Sequence, residues 1–187
     1  GFVAKYAADF GTIGAIFKFS QTATKDANLA FGVGFTGKAD SVSYFIDAGL
    51  NMPNKGMILV TEAQVVAALN PVTISAYVLY KNDLKQKYKD FMMDNSLKLR
   101  AKVEYQMDAA KLYLCVNADD LLTSADDSLT KVDDKGNVLG TTIEIKPGVG
   151  FNIGAASCDI GASVKINTIY DTTVASLSVP FSVEVGF

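Results

Sequence analysis

Apolar and polar residues alternate one by one through most of this chain, and a period of two confines such a sequence to β-strands with two unlike faces. From Thr173 to Phe187 the odd positions carry Ala175, Leu177, Val179, Phe181, Val183, Val185 and Phe187, whereas Ser176, Ser178, Pro180, Ser182, Glu184 and Gly186 lie between them. The segment 142–153 sets Ile143, Ile145, Pro147, Val149, Phe151 and Ile153 against Thr142, Glu144, Lys146, Gly148, Gly150 and Asn152. In 158–167 the parity inverts: Cys158, Ile160, Ala162, Val164 and Ile166 oppose Asp159, Gly161, Ser163, Lys165 and Asn167. Leu97, Leu99, Ala101, Val103, Tyr105 and Met107 likewise alternate with Lys98, Arg100, Lys102, Glu104 and Gln106. Weaker alternation over 2–10, 12–20, 28–36, 41–51, 57–69, 72–81 and 110–118 brings the expected total to about eleven strands. The Ala, Glu and Gln content of 57–69 also suits a short helix, but its place between two strands favours β.

Hydrophobic residues make up 49% of the 187, yet none of the apolar runs approaches the roughly 18 residues of a transmembrane helix. A single all-β domain over 1–187 is therefore expected. The formal net charge is −3 with Lys and Arg scattered, so no basic stripe suited to nucleic acid is present. The chain has no His, which removes the usual general base and the Ser-His, Cys-His and His-metal arrangements together. We expect no enzyme, no cofactor and no metal site. Glu144, Asp159 and Glu184 share a face, but a field of charges balanced by Lys146 and Lys165 is a simpler reading than a catalytic carboxylate pair.

Paired residues of an antiparallel ladder share a face, so strand parity constrains the turns. Two-residue turns are expected at Gly11-Thr12, Lys38-Ala39, Asn70-Pro71, Asp108-Ala109 and Gly154-Ala155, the last with Gly where a type II′ turn needs positive φ. That last turn sets Glu144 opposite Lys165, an expected cross-strand ion pair. Longer connections, 21–27, 52–56, 82–95, 119–139 and 170–172, separate the short ones in strict alternation. Membrane barrels segregate loop lengths in this way, with short periplasmic turns and long extracellular loops, and soluble sandwiches have no reason to.

The last strand resembles the terminal strand of Gram-negative outer-membrane β-barrel proteins: Phe187 is preceded at every second position by Val185, Val183, Phe181 and Val179. A soluble sheet whose last core strand ends in Phe would share that feature, and the loop alternation argues against it. The resemblance covers this strand alone. It implies a porin-like, antiparallel up-and-down transmembrane barrel in the bacterial outer membrane. Its partners would be the lipid bilayer and the barrel-assembly machinery, which would read those five residues as a signal. Trp is absent, a departure from the usual aromatic girdles, which leaves Tyr6, Tyr44, Tyr80, Tyr105, Phe151 and Phe181 as interface anchors.

With the apolar face on lipid, Lys98, Arg100, Lys102, Glu104, Glu144, Lys146, Asp159, Lys165 and Glu184 would line the lumen. Mixed charges there imply a weakly selective pore for passive diffusion. The competing expectations are a surface or adhesive barrel with a plugged lumen, and a soluble lipid-binding barrel with its apolar face inward. Cys115 and Cys158 fall on opposite faces, too far apart for a disulfide. The acidic loop 119–139 reads as a solvated surface loop rather than a calcium site. Segment 82–95 reads as either a short amphipathic helix or a surface turn. Because single-chain bacterial barrels have even strand numbers, about eleven strands imply that Gly1 is not the true start and that the barrel has twelve or more. The alternative is one bulged strand over 2–20 in a complete ten-stranded barrel.

Overall fold

In the computed structural model, described for all residues except 22–26, 54–55, 85–94, 123–139, 170–171 and 186–187, the chain forms one antiparallel sheet. Its strands are β1 (Phe2–Ala8), β2 (Gly11–Gln21), β3 (Ala27–Ala39), β4 (Val42–Pro53), β5 (Ile58–Leu69), β6 (Val72–Asp83) and β7 (Asn95–Gln106). They continue with β8 (Ala110–Asp119), β9 (Thr141–Ile153), β10 (Ala156–Gly161), β11 (Ser163–Ile169), β12 (Thr172–Ser178) and β13 (Phe181–Val185). Each strand pairs with its sequence neighbour up to β9, the up-and-down order. No helix occurs among the described residues, and the ambiguous segment 57–69 is strand β5.

Thirteen strands make eleven rows, because β10 and β11 both pair with β9 in one continuous register, as β13 and β12 do with β10 and β11. Proline causes both interruptions. The Ala162 N–H donates to the Pro147 carbonyl at 2.9 Å and the Gly161 N–H to the Pro180 carbonyl at 3.1 Å. Neither proline has an N–H with which to return the bond. The row therefore loses two ladder bonds on adjacent residues without changing direction.

Three of the expected turns stand where the parity put them: Leu69 pairs with Val72 around Asn70-Pro71, the Met107 N–H reaches the Ala110 carbonyl, and Ile153 pairs with Ala156. Gly154 has φ +60° and faces open space, as the first position of a type II′ turn requires. The other two are corrected, and the connection expected to be long at 170–172 has only two residues, because Ile169 pairs with Thr172. The first reversal is Asp9-Phe10, not Gly11-Thr12, and the second is Asp40-Ser41, not Lys38-Ala39. Sliding a pairing by an even number of residues preserves the faces, so alternation could not separate these registers. Local chemistry does. Asp40 adopts φ 48°, which Asp tolerates better than most side chains, and Gly11 at φ +148° is held against the Thr36 carbonyl and the Phe35 ring, where a Cβ would collide. The single bulged strand over 2–20 is also excluded, since β1 and β2 form a hairpin.

Closing pairs of the five hairpins are Ala8↔Gly11, Ala39↔Val42, Leu69↔Val72, Met107 with Ala110, and Ile153↔Ala156. Followed through the ladder, each lies two residues beyond the one before. One residue of shift per strand, at a rise of ~3.3 Å against a strand spacing of ~4.8 Å, tilts the strands by about 35° to the line of turns, near the roughly 35–45° of closed barrels. Along that line Tyr6, Tyr44, Tyr105 and Phe151 each stand two residues inside the closing pair, so four of five hairpins place an aromatic at one level of the apolar face. Phe181 lies deeper, opposite Ile160, and Tyr80 lies toward the other end.

The sheet does not close within the described residues: β1 pairs only with β2, and the β12–β13 row only with β10 and β11. The two edges run in the same direction. Among the described residues, Cys158, 8% exposed, is the one buried hydrophobic side chain, and the apolar face is open along its length, with Leu177 71% and Val179 70% exposed. There is no core in the globular sense.

Candidate functional site

On the polar face, β7 presents Lys98, Arg100, Lys102 and Glu104 at every second position, and the ladder aligns them with β8. Glu104 sits between two ammonium groups, Lys102 Nζ at 3.0 Å and Lys111 Nζ at 2.9 Å. Lys98 Nζ lies 3.4 Å from Asp119 Oδ1, an ion pair without a hydrogen bond, since that oxygen is buried and accepts none among the described residues. Arg100 lies over the Tyr77 ring, 5.9 Å from its centroid, and the Tyr77 hydroxyl donates to Glu62 at 2.7 Å. All the charged side chains of these ion pairs are a fifth or more exposed, so each pair is worth about 0–1 kcal/mol.

The second group centres on Glu144 in β9. Lys165 stands opposite it, so the expected register holds. The expected ion pair forms differently: Glu144 Oε2 takes Lys146 Nζ at 3.0 Å and the Asn117 amide at 3.2 Å, while the Ser163 hydroxyl donates to Oε1 at 2.8 Å. Lys146, two residues along the same strand, reaches the carboxylate that alternation alone assigned to Lys165. Thr142 and Asn167 are hydrogen-bonded one row further out. Glu184 pairs in register with Ser157 on exposed β13, away from both groups.

Asp159 belongs to a third arrangement. Tyr113 lays its ring over Gly148, donates its hydroxyl to Asp159 Oδ1 at 2.7 Å, and carries Lys102 Nζ 5.5 Å from its centroid. A Cβ on Gly148 would enter that ring, and one on Gly161 would sit 3.2 Å from the Tyr113 hydroxyl. Glycine on this face therefore makes room for a flat aromatic that bridges β8, β9 and β10. A second glycine floor, Gly14, Gly32, Gly34 and Gly49, lines an open groove of about 550 Å³ with Asp47 and Glu62 at its side.

Tyr77 is not singled out from the sequence, and Lys111, Tyr113, Asn117 and Ser163 stand out there only as members of the polar face. Their parity held the signal, since Tyr77 shares a row with Arg100 and Tyr113 with Glu104. A tyrosine at a polar-face position reads as a broken pattern until its hydroxyl finds a partner. Both cysteines are free: Cys115 lies on the polar face between Lys102 and Lys146, and Cys158 on the apolar face between Phe151 and Val183. Phe187, residues 85–94 of the segment read as a helix or a surface turn, and residues 123–139 of the acidic loop lie outside the described residues.

Gly148→Ala should displace Tyr113 and release Asp159, costing about 1–3 kcal/mol as an overpacked site. Gly150→Ala should cost less than Gly148→Ala, because its Cβ meets Asp159 at an ordinary 3.5 Å. Equilibrium urea unfolding of the two variants measures the difference. Compared with protein-family models, curated proteins and solved structures, the chain matches none.

Proposed function

We propose that this sheet is the wall, or part of the wall, of a β-barrel in a bacterial outer membrane. Its apolar face meets lipid, and its polar face lines a water-filled path for passive diffusion of small solutes. The observation that carries this reading is the inversion of a globular fold: apolar side chains lie open on one face while the polar side chains on the other hydrogen-bond and pair with one another. A face with Leu177, Val179 and Phe181 all more than 60% exposed is stable in water only if something apolar covers it. Lipid covers such a band without a specific partner.

Three further features agree with a barrel wall. The five hairpin turns at one end of the sheet have two residues each, and four of the five connections at the other end are longer, the two-residue link between β11 and β12 being the exception. The uniform stagger matches the tilt a cylinder requires. The level row of Tyr6, Tyr44 and Tyr105, with Phe151 at the same level, suits the short-turn interface, where tyrosine rings with one apolar and one wet end settle. In this setting Val179, Phe181, Val183, Val185 and Phe187 form the strand offered to the barrel-assembly machinery.

Planar-bilayer recording tests the function. A pore gives discrete, voltage-independent conductance steps with weak ion selectivity. Insertion without conductance would instead mean a plugged surface barrel, and a monodisperse chain in detergent-free buffer would mean a soluble one. Lys in place of Val179 should cost about 2–4 kcal/mol in folding into bilayers if the site is near the midplane. Lys in place of Ser176, on the polar face, should change that stability by less than about 1 kcal/mol.

A further inference from the structure

The charges of the polar face are not evenly mixed. On β7 and β8, Lys98, Arg100, Lys102 and Lys111 face only Glu104 and Asp119, whereas Asp47 and Glu62 stand on β4 and β5. Glu104 is shared by two lysines and Asp119 takes Lys98, so the guanidinium of Arg100 keeps no carboxylate among the described residues. Its one contact there is the Tyr77 ring, 5.9 Å from Cζ to the centroid. Its N–H donors remain for a ligand.

Arg100 lines a cavity of about 280 Å³ between β4 and β8, together with Phe45, Gln64, Ser75, Tyr77, Lys102 and Cys115. No carboxylate of the described residues lines it. Among the described residues the Gln64 amide and the Ser75 hydroxyl, both half-buried, donate to no protein acceptor. The Tyr77 hydroxyl is committed to Glu62, which holds the ring under Arg100. Donors outnumber acceptors in a space of this size even though the Lys102 ammonium is shared with Glu104, and a planar guanidinium among neutral donors matches an oxyanion.

We propose that the Arg100–Lys102 cavity binds the oxyanion of a small solute, a phosphate or a carboxylate. As a subsite on a diffusion path it rests on the pore reading, but the binding does not require conductance. The full chain folded in detergent micelles should therefore bind inorganic phosphate or acetate in equilibrium dialysis at low salt, and whichever binds names the class. Arg100→Gln should weaken binding at least tenfold, and Ser75→Ala several-fold. Lys5→Gln removes the same charge elsewhere on this face and should change binding less than twofold. Circular dichroism on each variant confirms that the sheet has formed, and Ser75→Ala, which removes one hydroxyl, keeps the test open if Arg100→Gln fails to fold. Binding of neither anion, equal loss in Lys5→Gln, or no loss in Arg100→Gln would overturn the site. A protein that conducts but binds neither anion refutes this inference alone.

Discussion

Each strand residue must hand its N–H and C=O to a neighbouring strand, and in this chain the ladder meets that demand with almost no help from tertiary packing. One sheet accounts for the described strands, so stability must come from backbone pairing and from whatever covers the apolar face. The two proline gaps show how local the tolerance is. Pro147 and Pro180 flank the same two residues, 161 and 162, and the registers on either side of the gap are continuous. A globular domain would compensate such losses with a core. Here lipid, in the proposed setting, is both the cover and the reason every other ladder bond is kept.

The two faces solve different problems. On the apolar side, in the proposed setting, shape matters little because a fluid cover fits any profile; side chains there vary from Ala to Phe, and Phe35 packs against Phe10 and Tyr44. On the polar side the wall organises itself. Tyr113 spans glycines to reach Asp159, Tyr77 carries Arg100, and Glu144 gathers three donors. These contacts are individually weak, but they fix where charge stands. Lysines and Arg100 accumulate on β7 and β8, and acids stand on β4 and β5. A path along such a wall would expose a solute to a field across it as well as to an average charge.

Which residues share a face was legible from alternation, down to the opposition of Glu144 and Lys165 and the separation of the cysteines. Where the chain turns was legible only where composition helped. Gly154 and Asn70-Pro71 mark their turns, whereas Asp9-Phe10 and Asp40-Ser41 were displaced toward the more obvious Gly11 and Lys38-Ala39. Parity repeats under an even slide, so a pattern of faces cannot settle register without turn chemistry. The site was partly legible for a similar reason. Charged residues announce their face, but the partner of Glu144 depends on side-chain reach, and Lys146 on the same strand won over Lys165 across it. Tyr113 was hidden as a partner of Asp159 because a ring that lies down on glycine is polar only at its tip.

The orientation of the two faces is the claim on which everything above depends, and nitroxide scanning of residues 97–107 in lipid vesicles, with Cys115 and Cys158 replaced by Ser, measures it directly. The account predicts oxygen collisions peaking at 99, 101, 103 and 105 and collisions with a water-soluble nickel chelate peaking at 98, 100, 102 and 104, two period-two waves out of phase. Oxygen peaks at the even positions, or both reagents rising together at every position, would contradict it.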